Sequence, residues 1–135
     1  KQVNDRWGHP AGDEVLRASA ELFQRGLRQV DQVGRVGGEE FLILLPDTDE
    51  AEAMTTAERL RSQLARTDIP AHGALLRVTC SMGVAVADAA DAEPDQMVQR
   101  SDAALYQAKH GGRDRVVSGA LVATIPVTAA SPTER

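Results

Sequence analysis

One stretch constrains this chain more than any other: Gly34-Arg35-Val36-Gly37-Gly38-Glu39-Glu40, followed by Phe41-Leu42-Ile43-Leu44-Leu45 and then Pro46-Asp47-Thr48. Five apolar residues closed by turn formers favour a strand covered on both faces over a helix. Gly34-Arg35-Val36 predicts a shorter strand before it, reversing through Gly37-Gly38, because glycine accepts the positive φ angles of tight hairpin turns. The product is a β-hairpin with Glu39 and Glu40 at or just past its tip. Taken alone, Gly-Gly-Glu-Glu has two meanings. Either it is turn chemistry with two solvated carboxylates, or it displays two acids at the mouth of a buried strand for a ligand.

The rest of the chain supplies what such a hairpin would pack against. Val15, Leu16, Ser19, Leu22, Phe23, Gly26 and Leu27 recur at helical spacing and predict an amphipathic helix over residues 13–26. A second helix is expected over 49–65, with Asp49, Glu50 and Glu52 in its first turn, Arg59, Arg61 and Arg66 towards its end, and Ala53, Ala57, Leu60 and Leu64 facing inward. Leu76, Val78, Cys80 and Met82 alternate with Arg77, Thr79 and Ser81, which predicts one long strand with Gly83 as its bend. After the linker "ADAADAEP", a third helix over 95–109 carries Met97, Val98, Leu105 and Ala108 and stops at Gly111-Gly112. "RDRVV" predicts a last short strand. Residues 118–135 mix small residues with prolines without a period, and are expected as a flexible tail beyond a domain at 1–117. Helices alternating with strands in this way predict an α/β class, a sheet with helices packed against it. A central strand feeding the first helix is expected ahead of Lys1 and is absent from the chain.

Composition narrows the function classes. With 135 residues, 42% hydrophobic and 26% charged, the chain can bury a core of its own. Its four aromatics, Trp7, Phe23, Phe41 and Tyr106, leave most of that core to aliphatic residues and alanine. A net charge of −5 argues against a generic nucleic-acid binder while leaving room for a local basic pocket around a nucleotide. The single Cys80 excludes an internal disulfide and points to a reducing compartment. Nothing approaches the roughly 20 apolar residues of a membrane span, and "KQVNDRWGHP" lacks the apolar stretch of a signal peptide. A cytoplasmic domain without membrane contact is the expectation, in a parent that could be anchored upstream.

Three blocks together carry a family resemblance. Asn4-Asp5-Arg6-Trp7-Gly8-His9-Pro10-Ala11-Gly12-Asp13, then Gly37-Gly38-Glu39-Glu40-Phe41, then "SDAALYQAKHGGRDRV" ending at Val116 resemble, in order and spacing, the GGDEF family of diguanylate cyclases. The resemblance implies a palm-like nucleotidyl cyclase fold, here without its first strand. It also implies condensation of two GTP into cyclic di-GMP with release of two pyrophosphates, by two domains paired as a homodimer. A hard divalent cation, Mg²⁺ or Mn²⁺, is implied with it. By that resemblance Glu39 is a metal ligand, and Glu40 assists the 3′-hydroxyl or a second metal; a solvated turn residue is the alternative for Glu40. Gly37 and Gly38 let the backbone approach the nucleotide. Asn4 and Asp13 match the positions that read guanine, although Asp13 also stands where a helix N-cap would. Lys1, Lys109 and Arg113 match the basic residues around the triphosphate.

The resemblance extends to control. Arg28-Gln29-Val30-Asp31 is an R-x-x-D whose aspartate precedes Gly37 by six residues, the spacing of the family's inhibitory product site. Arg59 matches a second arginine of that site, with a solvated helix arginine as the alternative. The chain departs from the pattern where active members carry an upstream metal-binding aspartate, since Lys1 matches only the last residue of that motif. Trp7 and Asp114 replace the more usual phenylalanine and asparagine. A second function class therefore stands beside the enzyme: a module that binds cyclic di-GMP without making it.

Overall fold

The apolar run after the glycine pair forms strand β2 (Glu40–Leu44), which pairs antiparallel with β1 (Gln32–Gly37) to make the expected hairpin. The computed structural model describes residues 9–87, 93–118 and 123–128. Around the hairpin, in chain order, lie α1 (His9–Arg25) before it and then α2 (Glu50–Ala65), β3 (Ile69–Ala71), β4 (Ala74–Leu76), β5 (Thr79–Cys80), β6 (Met82–Val84), α3 (Pro94–His110), β7 (Val116–Ser118) and β8 (Ala123–Thr128). The principal sheet runs β1-β2-β8-β6-β7, with β5 pairing to β8. Its neighbours are antiparallel except β6 and β7, which are parallel. Among the described residues no helix is long and apolar enough to cross a membrane.

Helices cover both faces of this sheet. Val15, Leu22 and Phe23 of α1 and Ala53, Ala57, Leu60 and Leu64 of α2 form one apolar cluster with Phe41, Ile43, Met82 and Val84 of the sheet. The Phe23 and Phe41 rings meet edge to face, centroids 5.9 Å apart. α2 begins on a capping box: Asp49 accepts from the Glu52 N–H at 2.8 Å, and Glu52 accepts from the Asp49 N–H at 3.3 Å. α3 lies across the opposite face, where Gly83 alternates with Met82 and Val84. A Cβ on Gly83 would stand 2.1 Å from Ser101 O and 2.4 Å from Leu105 N, so glycine here is what lets helix and strand touch.

Several expectations change. α1 starts four residues earlier than the apolar periodicity suggested, through Pro10, because a proline in the first turn lacks only an N–H that has no intrahelical acceptor. β2 is covered on one face rather than two: Phe41 and Ile43 are buried while Leu44 is 39% exposed. The long strand expected over 76–83 is broken into β4, β5 and β6, although Leu76, Val78, Cys80 and Met82 are all buried as their alternation required. Its first part turns back on β3 through His72 (φ 53°) and Gly73 (φ 81°), a separate two-stranded hairpin the sequence reading missed. Gly83 makes a close approach to α3 and is not a bend.

The largest change concerns the expected tail. Ala123–Thr128, inside the stretch 118–135, forms β8 and takes the central place between β2 and β6. Ile125 pairs with Phe41 and Thr124 with Leu42. Its Thr, Ile and Val are strand formers, and an unpaired inner edge of β2 recruits any such segment that reaches it. Pro126, which offers no N–H to a ladder, sits opposite Glu40 at the end of the β2 pairing.

Candidate active site

The hairpin tip is built by backbone chemistry. Gly37 pairs with Glu40, a bulge falls between Arg35 and Gly37, and Gly38 and Glu39 form the turn. Gly38 has φ +45°, the left-handed region that a two-residue hairpin turn assigns to glycine. Arg35 Nε donates to Gly38 O at 2.6 Å and braces the tip. Gly37 differs: its φ is ordinary and a Cβ there would meet nothing within 4 Å. The fold itself gives no steric reason for a glycine at 37. Glu39 is half-buried in the turn and Glu40 is exposed at the head of β2, so the reversal runs through Gly38-Glu39, one residue later than Gly37-Gly38.

A cavity of about 410 Å³ opens between α1 and the hairpin. Leu16, Ala20, Val33 and Phe41 give it apolar walls; Asp13, Arg17, Gln24 and Arg35 give it polar and charged ones. Asp13 is exposed and lies in the second turn of α1, so the helix N-cap reading falls. Arg17 and Arg35 were not singled out from the sequence. Arg17 follows Asp13 by four residues and so shares its helix face, and Arg35 stands opposite Phe41 in the hairpin register. Lys109 lies at the end of α3 and Arg113 just after it, and neither lines this cavity. Lys1 and Asn4 lie outside the described residues.

Hard oxygen donors suit Mg²⁺ or Mn²⁺, and the tip offers two carboxylates. Among the described residues, no group of three or more acidic, histidine or cysteine side chains converges to hold a metal ion. Two carboxylates at the tip, Glu39 and Glu40, do not by themselves make up such a group.

The three residues expected at the product site come together. Arg28, Asp31 and Arg59 line a small cavity of about 140 Å³ with Leu45, Thr48, Glu52 and Thr56. Arg28 Nη2 donates to Asp31 Oδ1 at 2.7 Å, Pro46 O at 2.7 Å and Thr48 Oγ1 at 3.0 Å. The Arg28 N–H closes the turn on Asp31 Oδ2 at 2.8 Å. Arg59 reaches across from α2 to donate to Gly26 O at 2.7 Å. Burial pushes the Asp31 carboxyl upward, but the bonds from Arg28 and the charges of Arg28 and Arg59 outweigh it, and the group is held below the usual carboxylate range. A larger apolar cavity, about 470 Å³, lies between the end of β2, α2 and Met97 of α3, and holds none of the residues expected to do chemistry.

A mixed sheet with helices on both faces, presenting two acids on a glycine hairpin beside an open cavity, is the architecture of the palm-like class of nucleotidyl cyclase domains. Comparison with known proteins gives the family: residues 1–115 match the diguanylate cyclase GGDEF domain, and the chain belongs to it. The probable diguanylate cyclase DgcT of Escherichia coli is 40% identical over 119 residues, 87% of this chain and 26% of that protein. The active GGEEF domain of a diguanylate cyclase from Vibrio cholerae superposes with a TM-score of 0.79 at 37% identity, covering 87% of this chain and 74% of the other. The GGDEF domain of DgcB from Caulobacter crescentus, solved in complex with c-di-GMP, gives 0.80 at 32% identity, covering 86% and 69%. The chain spans about a quarter of the length of the curated relatives it matches.

Proposed function

We propose that this chain is the catalytic domain of a diguanylate cyclase, joining two GTP into cyclic di-GMP. The observation that carries the reading is the intact Gly37-Gly38-Glu39-Glu40-Phe41 hairpin, whose Gly37 is free of any steric demand from the fold and whose flank walls a cavity of about 410 Å³, roomy enough to admit a purine base. The GGEEF sequence of the active Vibrio cholerae domain is the one this hairpin carries.

In this reading Asp13, with Asn4, takes the guanine edge: a carboxylate accepts from N1–H and the amino group, which adenine does not offer in that pattern. Leu16, Val33 and Phe41 supply the apolar surface against which a base is desolvated. Lys109 and Arg113, with Lys1, neutralise the triphosphate, and Gly37-Gly38 admits its backbone close approach. A divalent cation bound by Glu39 and Glu40 would supply charge neutralisation at the phosphate oxygens. Each 3′-oxygen, losing its proton, forms a bond to the α-phosphorus of the other nucleotide while the bond to pyrophosphate breaks. One domain holds one GTP, so two domains must face each other for both bonds to form. Arg28, Asp31 and Arg59 form the site at which accumulated cyclic di-GMP restrains the enzyme.

The second reading, a module that binds cyclic di-GMP without making it, is favoured by one feature: the described residues assemble the Arg28 site more completely than a metal site. Product analysis separates them. The protein carrying this chain, given GTP and Mg²⁺, should yield cyclic di-GMP and pyrophosphate, and Glu39→Gln should lower the rate about 100-fold or more. Cyclic di-GMP binding without any product from the unsubstituted protein would establish the module instead.

A further inference from the structure

The loop after α3 stands in a conformation its own residues resist. Arg113 (φ 63°) and Asp114 (φ 45°) both take left-handed backbone, and two such residues in succession without glycine need support from outside the loop. The ends are anchored by backbone: the Arg113 N–H donates to Ala108 O and the Met82 N–H to Arg115 O, each at 2.9 Å. The middle is held by side chains. The Asp114 N–H donates to Oγ of buried Ser81 at 3.2 Å, and the Asp114 carboxylate accepts from Arg61 Nη1 at 2.6 Å. Arg61 comes from the C-terminal half of α2. Its side chain is 17% exposed, and Glu58, one turn earlier, takes the rest of its guanidinium in a second ion pair. Glu58 thereby fixes the orientation from which Arg61 reaches the loop.

We propose that the Arg61–Asp114 ion pair is a positioning strap for nucleotide binding: by holding Asp114 left-handed, it sets the adjoining Arg113 towards the phosphates of a bound nucleoside triphosphate. The proposal rests on the reading above that Lys109 and Arg113 meet the triphosphate. Gly111 and Gly112 precede the strained pair, and Gly112 itself has φ +122°, so this segment has ample freedom to relax once the strap is cut. A displacement of about 1 Å in a phosphate-binding side chain is enough to weaken its charge-assisted bonds. Arg61 and Asp114 act through Arg113 and touch no substrate.

At Asp114 charge and geometry make opposite forecasts, which gives the test its edge. If Arg61 and Asp114 acted only through local potential, Asp114→Ala would remove a negative charge near the phosphates and tighten GTP binding. A strap requires that it weaken it. In the protein carrying this chain, Arg61→Ala and Asp114→Ala should each raise KM for GTP about tenfold, with GMP affinity, which needs no β- or γ-phosphate, within twofold of the parent. The double variant should be no worse than either single one, because both cut the same strap. Asp114→Asn should restore GTP binding, since its amide oxygen accepts from a guanidinium and asparagine tolerates left-handed backbone. Tighter GTP binding in Asp114→Ala, additive losses, or equal losses for GTP and GMP would each overturn the proposal. Arg113→Ala run alongside tells the two readings apart. GTP binding lost there but kept in Arg61→Ala overturns the strap alone, whereas GTP binding kept in Arg113→Ala overturns the assignment of Arg113 and the strap with it.

Discussion

Arg28 and Asp31 form a closed pair three residues apart, Nη2 to Oδ1 at 2.7 Å, with the Asp31 side chain 2% exposed and the Arg28 side chain 53% exposed. The carboxylate is therefore sequestered while its partner keeps an open edge. Arg28 also reaches Pro46 O and Thr48 Oγ1 at the end of β2, so the pair ties the segment after α1 to the segment before α2. For cyclic di-GMP to engage the guanidinium, some of these bonds have to be exchanged for bonds to the ligand.

Arg28→Ala should lower cyclic di-GMP affinity at least about tenfold, because it removes the charge-assisted bonds that a guanine edge or phosphate would take up. The initial rate of GTP conversion should hold while restraint by accumulated product weakens. Ligand titration and progress curves on both proteins check this; equal affinities would make residues 28–31 a charged turn only.

The same pair predicts a pH dependence. The Asp31 carboxyl is held low in the folded protein, so its contribution to stability is complete above its unfolded pKa, about 3.9, and is lost as pH falls through the lower folded value. Asp31→Asn should then be less stable than the parent at neutral pH, with the gap closing below about pH 4. Urea unfolding of both proteins at several pH values measures it. A gap that is constant down to strongly acidic pH would mean the carboxyl is not paired in solution.

Asp13 carries the base-reading half of the proposed function. Asp13→Ala should reduce the preference for GTP over ATP by about tenfold or more, since a site that loses its matching group loses the penalty that excluded the wrong base. Asn4→Ala should act in the same direction. Competition binding with the two nucleotides decides; unchanged selectivity would remove both residues from the base pocket.

Gly83→Ala tests the seating of α3 on the sheet. The added carbon meets backbone at 2.1 Å and 2.4 Å, which no side-chain rotation relieves, so the cost should reach about 3 kcal/mol. Thermal unfolding should show it as a fall of roughly 10 °C. A change of only a degree or two would mean that α3 rides further from β6.

Cys80 should be inert in the folded protein. Burial pushes its thiol well above the ordinary cysteine value, leaving almost no thiolate at neutral pH. A thiol reagent at pH 8 should label it only after denaturant is added. Prompt labelling of the native protein would show that the region around β5 opens.

Much of this protein is determined by local chemistry that the sequence states outright. The helix faces follow from periodicity: Ala53, Ala57, Leu60 and Leu64 were expected inside α2 and are buried there. The hairpin follows from glycine, whose freedom at Gly38 no other residue matches, and the grouping of Arg28, Asp31 and Arg59 follows a family offset along the chain. What the sequence could not state is how distant segments compete for the same space. Periodicity assigned Leu76 through Met82 to one strand, but pairing with Ile69–Ala71 drew its first part away. It read residues 123–128 as tail because six residues with a proline carry little signal by themselves; their place comes from the partner edges of β2 and β6. It saw Gly83 as a bend, when the reason for that glycine is a helix about twenty residues away in the chain. Nothing in the sequence marked Arg17 or Arg35, and Arg61 stood only among the basic residues towards a helix end; the fold set the first two on the cavity wall and the third against Asp114, 53 residues on. Turns and helix faces are decided by neighbours in the chain, whereas strand order, close approach and charge pairing are decided by neighbours in space, which only the folded chain brings together.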